Sequence, residues 1–294
     1  MRFLLTIHAR SLGHRGDTER RAGQYDHAEQ LVKEALALAE RATGPGHILR
    51  MTLLNSLGII HKHQGRFVDG ASAYRRGLRV ARRIFGPDHP AVATFYHNLG
   101  GLEHARGRHA RGEPFAMRAV AIRERAFGAD HPDVARDVAA LAAILDGLKR
   151  HAEAEVLHRR ALAVFERCFG REHIETAYAL GNLAACHHLT GRTQEAEPMA
   201  QRALALKTKL LGATHPDVGL ALANLSIIQK SQGRISEAGA SCRRALAILE
   251  ETLGPTHAET VACRGSDSVL ELPKTVRCSQ RRAHAGGSGA DAHA

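Results

Sequence analysis

The strongest constraint in this 294-residue chain is a step of fixed length: His47, His89, His131, His173, His215 and His257 stand 42 residues apart, and Gly44, Gly86, Gly128, Gly170, Gly212 and Gly254 keep the same interval. A spacing held without insertion over most of the chain means one supersecondary unit repeated in tandem. A unit of that length cannot bury its apolar side alone, so successive copies must stack into a solenoid. Two ordinary globular domains, which the length would also allow, do not generate such a step.

Each copy reads as two helices. Asp88-His89-Pro90 opens the first: proline is favoured in an opening turn, where its missing N–H costs nothing, and a polar residue before it can cap the free amides. Tyr96, Leu99 and Leu102 then recur as Leu54, Leu57 and Ile60, as Val138, Leu141 and Ile144, and as Leu222, Leu225 and Ile228, one apolar stripe per helix. Gly107-Arg108 makes the corner, matched by Gly65-Arg66, Gly191-Arg192 and Gly233-Arg234, with Lys149-Arg150 the exception. The second helix closes at Phe127-Gly128 and its equivalents. Pro114 and Pro198 share a slot that the reading assigns to that helix's first turn. With 4% aromatic residues and no Trp, the interior must be Ala and Leu between closely approaching helices.

The expected architecture is all-α, a right-handed superhelical solenoid of antiparallel helix pairs, five to six hairpins long. Residues 1–22 read as a degenerate first helix, its Leu12-Gly13 pair three residues out of register with the later Leu-Gly pairs. Residues 23–262 form the tandem array. The opening of one more helix at Ala258 fails at Arg264-Gly265-Ser266-Asp267, so residues 263–294 read as a flexible tail with a short apolar patch, Val269 to Leu272. With no polar capping helix in view, the last apolar face is expected to be open to self-association or covered by that patch.

Tyr96-x-x-Leu99-Gly100 and Leu54-x-x-Leu57-Gly58 resemble the W-x-x-L-G of tetratricopeptide repeats, and Gly70-x-x-x-Tyr74 is similar to that family's A-x-x-x-F. The 42-residue length, with Leu-Gly-x-x-His-Pro-Asp-Val at 211–218, looks like the kinesin light chain variety. HEAT and armadillo repeats have similar lengths but do not explain the Leu-Gly pair followed by a Gly-Arg turn. The resemblance implies a protein-interaction scaffold in which first helices line a concave groove for extended peptides and asparagines before the repeated leucine hold the peptide backbone. Asn98, Asn182 and Asn224 occupy that slot; Asn55 stands one residue before its equivalent, Ser56; Ala140 departs from it. Asparagine can donate to a carbonyl and accept from an amide, so it suits that task. An asparagine facing solvent, or tying adjacent repeats together, is the competing reading.

Residues on the same helical face extend the expected groove: Ile59 and Lys62; His97, Gly101 and His104; Arg136; Tyr178, Ala185 and His188; Ile227 and Lys230. Their mixture, polar and mildly basic, favours an acidic peptide or a C-terminal carboxylate.

The formal charge of +11 and the arginines of the second helices (Arg75-Arg76, Arg118, Arg159-Arg160, Arg202, Arg243-Arg244) keep an RNA-binding solenoid as an alternative. A sensor fragment of a larger regulator is another. No enzyme motif supports catalysis and no cofactor is implied. Among the twenty histidines, His61-x-His63 and His187-His188 lack the i, i+4 spacing of a helical metal site, and the five cysteines show no paired spacing. The absence of a long apolar run excludes a membrane helix, and the cysteine usage suits a reducing, cytoplasmic setting.

Overall fold

The computed structural model describes residues 1–44 and 46–268. Among them are thirteen helices. The first helices of the hairpins are α1 (Arg2–Arg21), α3 (Ile48–His63), α5 (Pro90–Ala105), α7 (Pro132–Gly147), α9 (Ile174–Leu189) and α11 (Pro216–Ser231). Their antiparallel partners are α2 (Tyr25–Ala42), α4 (Phe67–Phe85), α6 (His109–Phe127), α8 (His151–Phe169), α10 (Thr193–Leu211) and α12 (Ile235–Leu253), followed by a single helix, α13 (Ala258–Ser268). Each helix packs chiefly on its hairpin partner and next on the helix that follows, and among the described residues none touches a helix more than two positions away. That contact pattern is a right-handed solenoid with a core running along its axis. Among the described residues no helix is long and apolar enough to cross a membrane.

The repeating histidines are the N-caps of the first helices. Leu49, Ala91, Asp133, Glu175, Asp217 and Glu259 each donate a backbone N–H to Nδ1 of the histidine two residues before, at 3.1–3.3 Å. Acceptance at Nδ1 leaves the proton on Nε2. Where the preceding helix ends in phenylalanine, its ring packs on the cap: the centroids of Phe85 and His89, Phe127 and His131, and Phe169 and His173 lie 4.3–4.5 Å apart. One residue type thus closes one helix and opens the next.

Small residues set the helix spacing. A methyl group at Gly58 would overlap the ring of Tyr74, which is almost wholly buried. The in-register glycine of α1 is Gly16, not Gly13: Gly16 is buried against Val32 and the Ala28 carbonyl. The first helix is therefore complete and in phase, with its leucine replaced by Arg15. The hairpin corner needs a left-handed residue; Gly107 supplies it at φ 69°, and Lys149 adopts φ 62° in the same slot without glycine's freedom.

Two further expectations change. Pro114 and Pro198 lie at the sixth residue of α6 and α10, inside the helix rather than in its first turn. Both are exposed, as are Ala110 and Gln194, whose carbonyls lose the intrahelical bond, so water can replace it. The last first-helix does not fail at Arg264: α13 runs to Ser268 and packs on α12, burying Thr260 and Cys263, with the Thr260 hydroxyl donating to the Leu249 carbonyl. The final hairpin is thus covered by a helix rather than left open. The patch Val269 to Leu272 lies outside the described residues.

Candidate functional site

The expected groove residues all lie on the first helices of the hairpins, α3, α5, α7, α9 and α11. Ile59, Lys62, Asn182, Lys230 and most of the others are half-buried, as wall residues of a shallow channel should be; Ser56 and Gly101 are buried. Their environments divide them into two groups.

One group is committed to the fold. The Asn98 amide donates to Asn55 Oδ1 at 2.7 Å, joining α5 to α3. The Ser56 hydroxyl donates to Asp17. His97 Nδ1 lies 2.7 Å from Asp137 Oδ1, which also receives Arg123 at 2.6 Å, and Asp137 is 1% exposed. Arg136 is held by Asp133 on its own helix and by Glu175 of the next repeat at 3.0 Å. His104 and His109 face each other Nδ1 to Nδ1 at 3.1 Å. Burial, then the neighbouring His109 and Lys62, push His104 down to about 4, so the imidazole is neutral. His97 and Arg136, which argued for an acidic ligand, are therefore engaged by acids of the wall itself.

The other group lines an open pocket where α9, α10 and α11 meet. Ala185 and His188 of α9 and Asn224 and Ile227 of α11 form its sides; Ala200 and Lys207 of α10 lie beneath. It holds about 400 Å³ of empty space, its mouth included. The slot of Ala200 carries Tyr74 in α4, Ala116 in α6, His158 in α8 and Cys242 in α12, and the slot of Ala185 carries Ile59 in α3, Gly101 in α5, Ala143 in α7 and Ile227 in α11. Small side chains meet here, as they do at Gly101 and Ala116, and Gly181 and Ala184 also line the hollow.

Polar groups sit at the edge of this apolar hollow. The Lys207 ammonium lies 4.7 Å from the centroid of the Tyr178 ring, and the Tyr178 hydroxyl donates to Asp217 Oδ2 at 2.6 Å. Burial pushes His188 below its ordinary value, and its Nδ1 is buried with no hydrogen-bond partner. A neutral imidazole, an amide and an ammonium around an alanine-lined hollow can seat an apolar side chain and bond the main chain that carries it. Lys207, Ala200 and Asp217 were not among the sequence-derived groove residues, and no single column of the repeat marks them, since Gly100 and Ala116 are as small as Ala184 and Ala200.

Several arginines of the second helices are paired with acids. Arg76 pairs with Glu40, Arg118 with Asp88, Arg160 with Glu124 and Arg202 with Glu166, each acid belonging to the preceding repeat or its closing loop. Arg159 is bound by Glu155. A second series uses the corner arginines: Arg66 reaches Glu29, Arg150 reaches Glu113, Arg192 reaches Glu155 and Arg234 reaches Glu197. These pairs stitch neighbouring repeats together. Burial opposes ionisation of Glu29, yet donors from Lys33, Gln64, Arg66 and His61 hold it well below the usual carboxylate range. Among the described residues no group of His, Cys, Asp or Glu is arranged to hold a metal ion.

The tandem hairpins and their neighbour-to-neighbour packing define a helical-repeat solenoid. The chain belongs to the tetratricopeptide repeat family: the family's profile matches residues 8–69, 49–111, 92–167, 137–209 and 175–238, and a second profile of the same repeat matches 218–259. Among solved structures, BtubC (BKLC) from P. vanneervenii aligns over 85% of this chain and 92% of its own, with 24% identity and a TM-score of 0.56. A kinesin light chain candidate from Podosopora anserina with nearly identical TPR-like repeats aligns over 71% of this chain and 98% of its own, with 20% identity and a TM-score of 0.54. NprR in complex with its cognate peptide NprX aligns over 90% and 72%, with 13% identity and a TM-score of 0.66. No curated protein matches the chain in sequence.

Proposed function

We propose that the chain is a non-catalytic interaction scaffold that holds an extended segment of a partner protein along its inner wall, with one apolar side chain seated between α9, α10 and α11. The observation that carries this reading is the pocket itself: an alanine-lined hollow flanked by Asn224, His188 and Lys207 where α9, α10 and α11 meet. The fold shared with NprR, a protein seen with a bound peptide, supports the same class of partner. Asn182 and Asn224 would grip the main chain, whereas Asn55 and Asn98 already bond each other. With Arg136 and His97 engaged by their own acids, the ligand is selected by its apolar residue rather than by negative charge.

The test uses peptides selected from a random library on the full chain, with affinity measured by calorimetry. Ala185→Ile places in α9 the side chain that α3 and α11 carry in that slot, so the helix tolerates it while the hollow is filled. Binding weakened at least about tenfold, equivalent to about 1.4 kcal/mol, is expected. Unchanged affinity in a folded variant would reject the pocket as the anchor.

A further inference from the structure

Most of the cationic excess of this chain lies in its first 129 residues. Residues 1–129 hold 21 Lys and Arg against 11 Asp and Glu, whereas residues 130–268 hold 16 against 17. The imbalance is sharpest on α4, where five arginines face a single acid, Asp69, itself taken by Arg66. Two substitutions in the repeat explain it. Ala71 stands where Glu29, Glu113, Glu155 and Glu197 bind the next corner arginine, and Arg82 stands where Glu40, Glu124 and Glu166 bind the next repeat's arginine.

The acids that neutralise the other second helices are therefore missing here. Arg75, Arg79, Arg82 and Arg83 are exposed, and among the described residues none has an ion pair. Their spacing of i, i+4, i+7 and i+8 puts them on one face of the helix, a strip about 12 Å long. Arg108, deprived of the acid that Ala71 replaces, and Arg111 are likewise exposed and unpaired at the start of α6.

We propose that this strip on the convex side is a docking surface for the phosphate backbone of double-stranded nucleic acid, read without base contacts. About 12 Å of arginine faces about three phosphates of one strand, each 3.4 Å along the axis from the last. Bases are not engaged, because the aromatic residues of α4 are spent: Tyr74 is buried, Phe85 stacks on His89 and Phe67 packs on the core. An acidic protein partner fits less well. Tight protein interfaces centre on a buried apolar or aromatic anchor, and the exposed large apolar residue of α4, Val68, lies near the helix's opposite end. The surface is independent of the pocket on the inner wall.

The full chain is titrated against a fluorescent 20-base-pair duplex of random sequence over a series of salt concentrations, with poly-glutamate and anionic vesicles as competitors. Arg75→Gln/Arg79→Gln/Arg83→Gln is expected to weaken duplex binding more than about tenfold at low salt and to reduce the slope of log K against log salt by about 2.7, at 0.9 per lost phosphate contact. Arg171→Gln/Arg243→Gln/Arg244→Gln carries the same charge change in the balanced part of the chain and is expected to leave both near the parent's values. Equal losses in the two variants would reduce the effect to bulk charge and overturn the site. Absence of duplex binding, or stronger capture by poly-glutamate or vesicles than by duplex, would overturn the choice of partner. Unfolding profiles of both variants establish that they remain helical.

Discussion

The Asn98 amide of α5 donates to Asn55 Oδ1 of α3 across 2.7 Å, so two asparagines that a resemblance would assign to a ligand are bonded to each other. Asn224, by contrast, lines the pocket between α9 and α11. The same residue type therefore serves two purposes in one array. Asn98→Ala is expected to lower stability by about 1 kcal/mol, the net worth of one such bond, with little effect on peptide binding. Asn224→Ala is expected to do the reverse. Urea unfolding and calorimetry separate the outcomes, and equal behaviour of the two variants would contradict the distinction.

Lys149 occupies the corner between α7 and α8 with φ at 62°, where the other described corners use glycine. A side chain in that conformation costs roughly 1 kcal/mol. Lys149→Gly should raise the thermal midpoint, whereas Gly107→Lys should lower it. A lower midpoint for Lys149→Gly would show that the lysine contributes more than its backbone strain removes.

Glu155 receives Arg192 of the next repeat and Arg159 of its own helix, and these partners, Arg192 first, hold its carboxyl at about 2 against an ordinary 4.5. A depressed carboxylate contributes stability above its unfolded value and loses it as pH falls through the folded one. Stability should therefore decline between about pH 4.5 and 2, and Glu155→Gln should flatten that part of the curve while lowering stability at neutral pH. Acid titrations followed by circular dichroism give the answer; an unchanged slope would mean the pair is idle.

His104 behaves in the opposite charge sense but with the same direction in pH. Its folded value near 4, set by burial and by His109, lies below the ordinary 6.5, so the unfolded chain binds the proton more readily. Stability from the neutral imidazole is complete above pH 6.5 and lost as pH falls toward 4. His104→Gln should remove curvature in that window, measured as the midpoint of urea unfolding against pH. Retained curvature would assign it to other groups.

Much of the fold was legible because a strict period repeats its own evidence: the histidine caps, the glycine corners and the stripe of Leu99 and Leu102 each appear in copy after copy. Deviations were harder. Gly16 is hard to recognise because Arg15 stands before it, where a leucine marks later repeats, and the extent of α13 is masked by glycine and serine, which argue against a helix that packing on α12 supports. The wall residues could be placed from helical spacing alone. Their partners could not, since Asp137 and Asp217 look in the sequence like ordinary first-turn or surface acids, and only packing shows them buried beside His97 and Tyr178. The pocket arises from an absence of bulk in several helices at once, which no single stretch of sequence displays.

Among the described residues no helix reaches past its second neighbour, so none of them ties the first repeat to the last. Removing one 42-residue copy would bring together surfaces of the same design as those that meet now, with ordinary first and second helices on either side of the junction. The length of the solenoid is accordingly a matter of counting, and the hollow at α9 to α11 would keep its shape while its distance from the arginine-rich end changed by one whole unit.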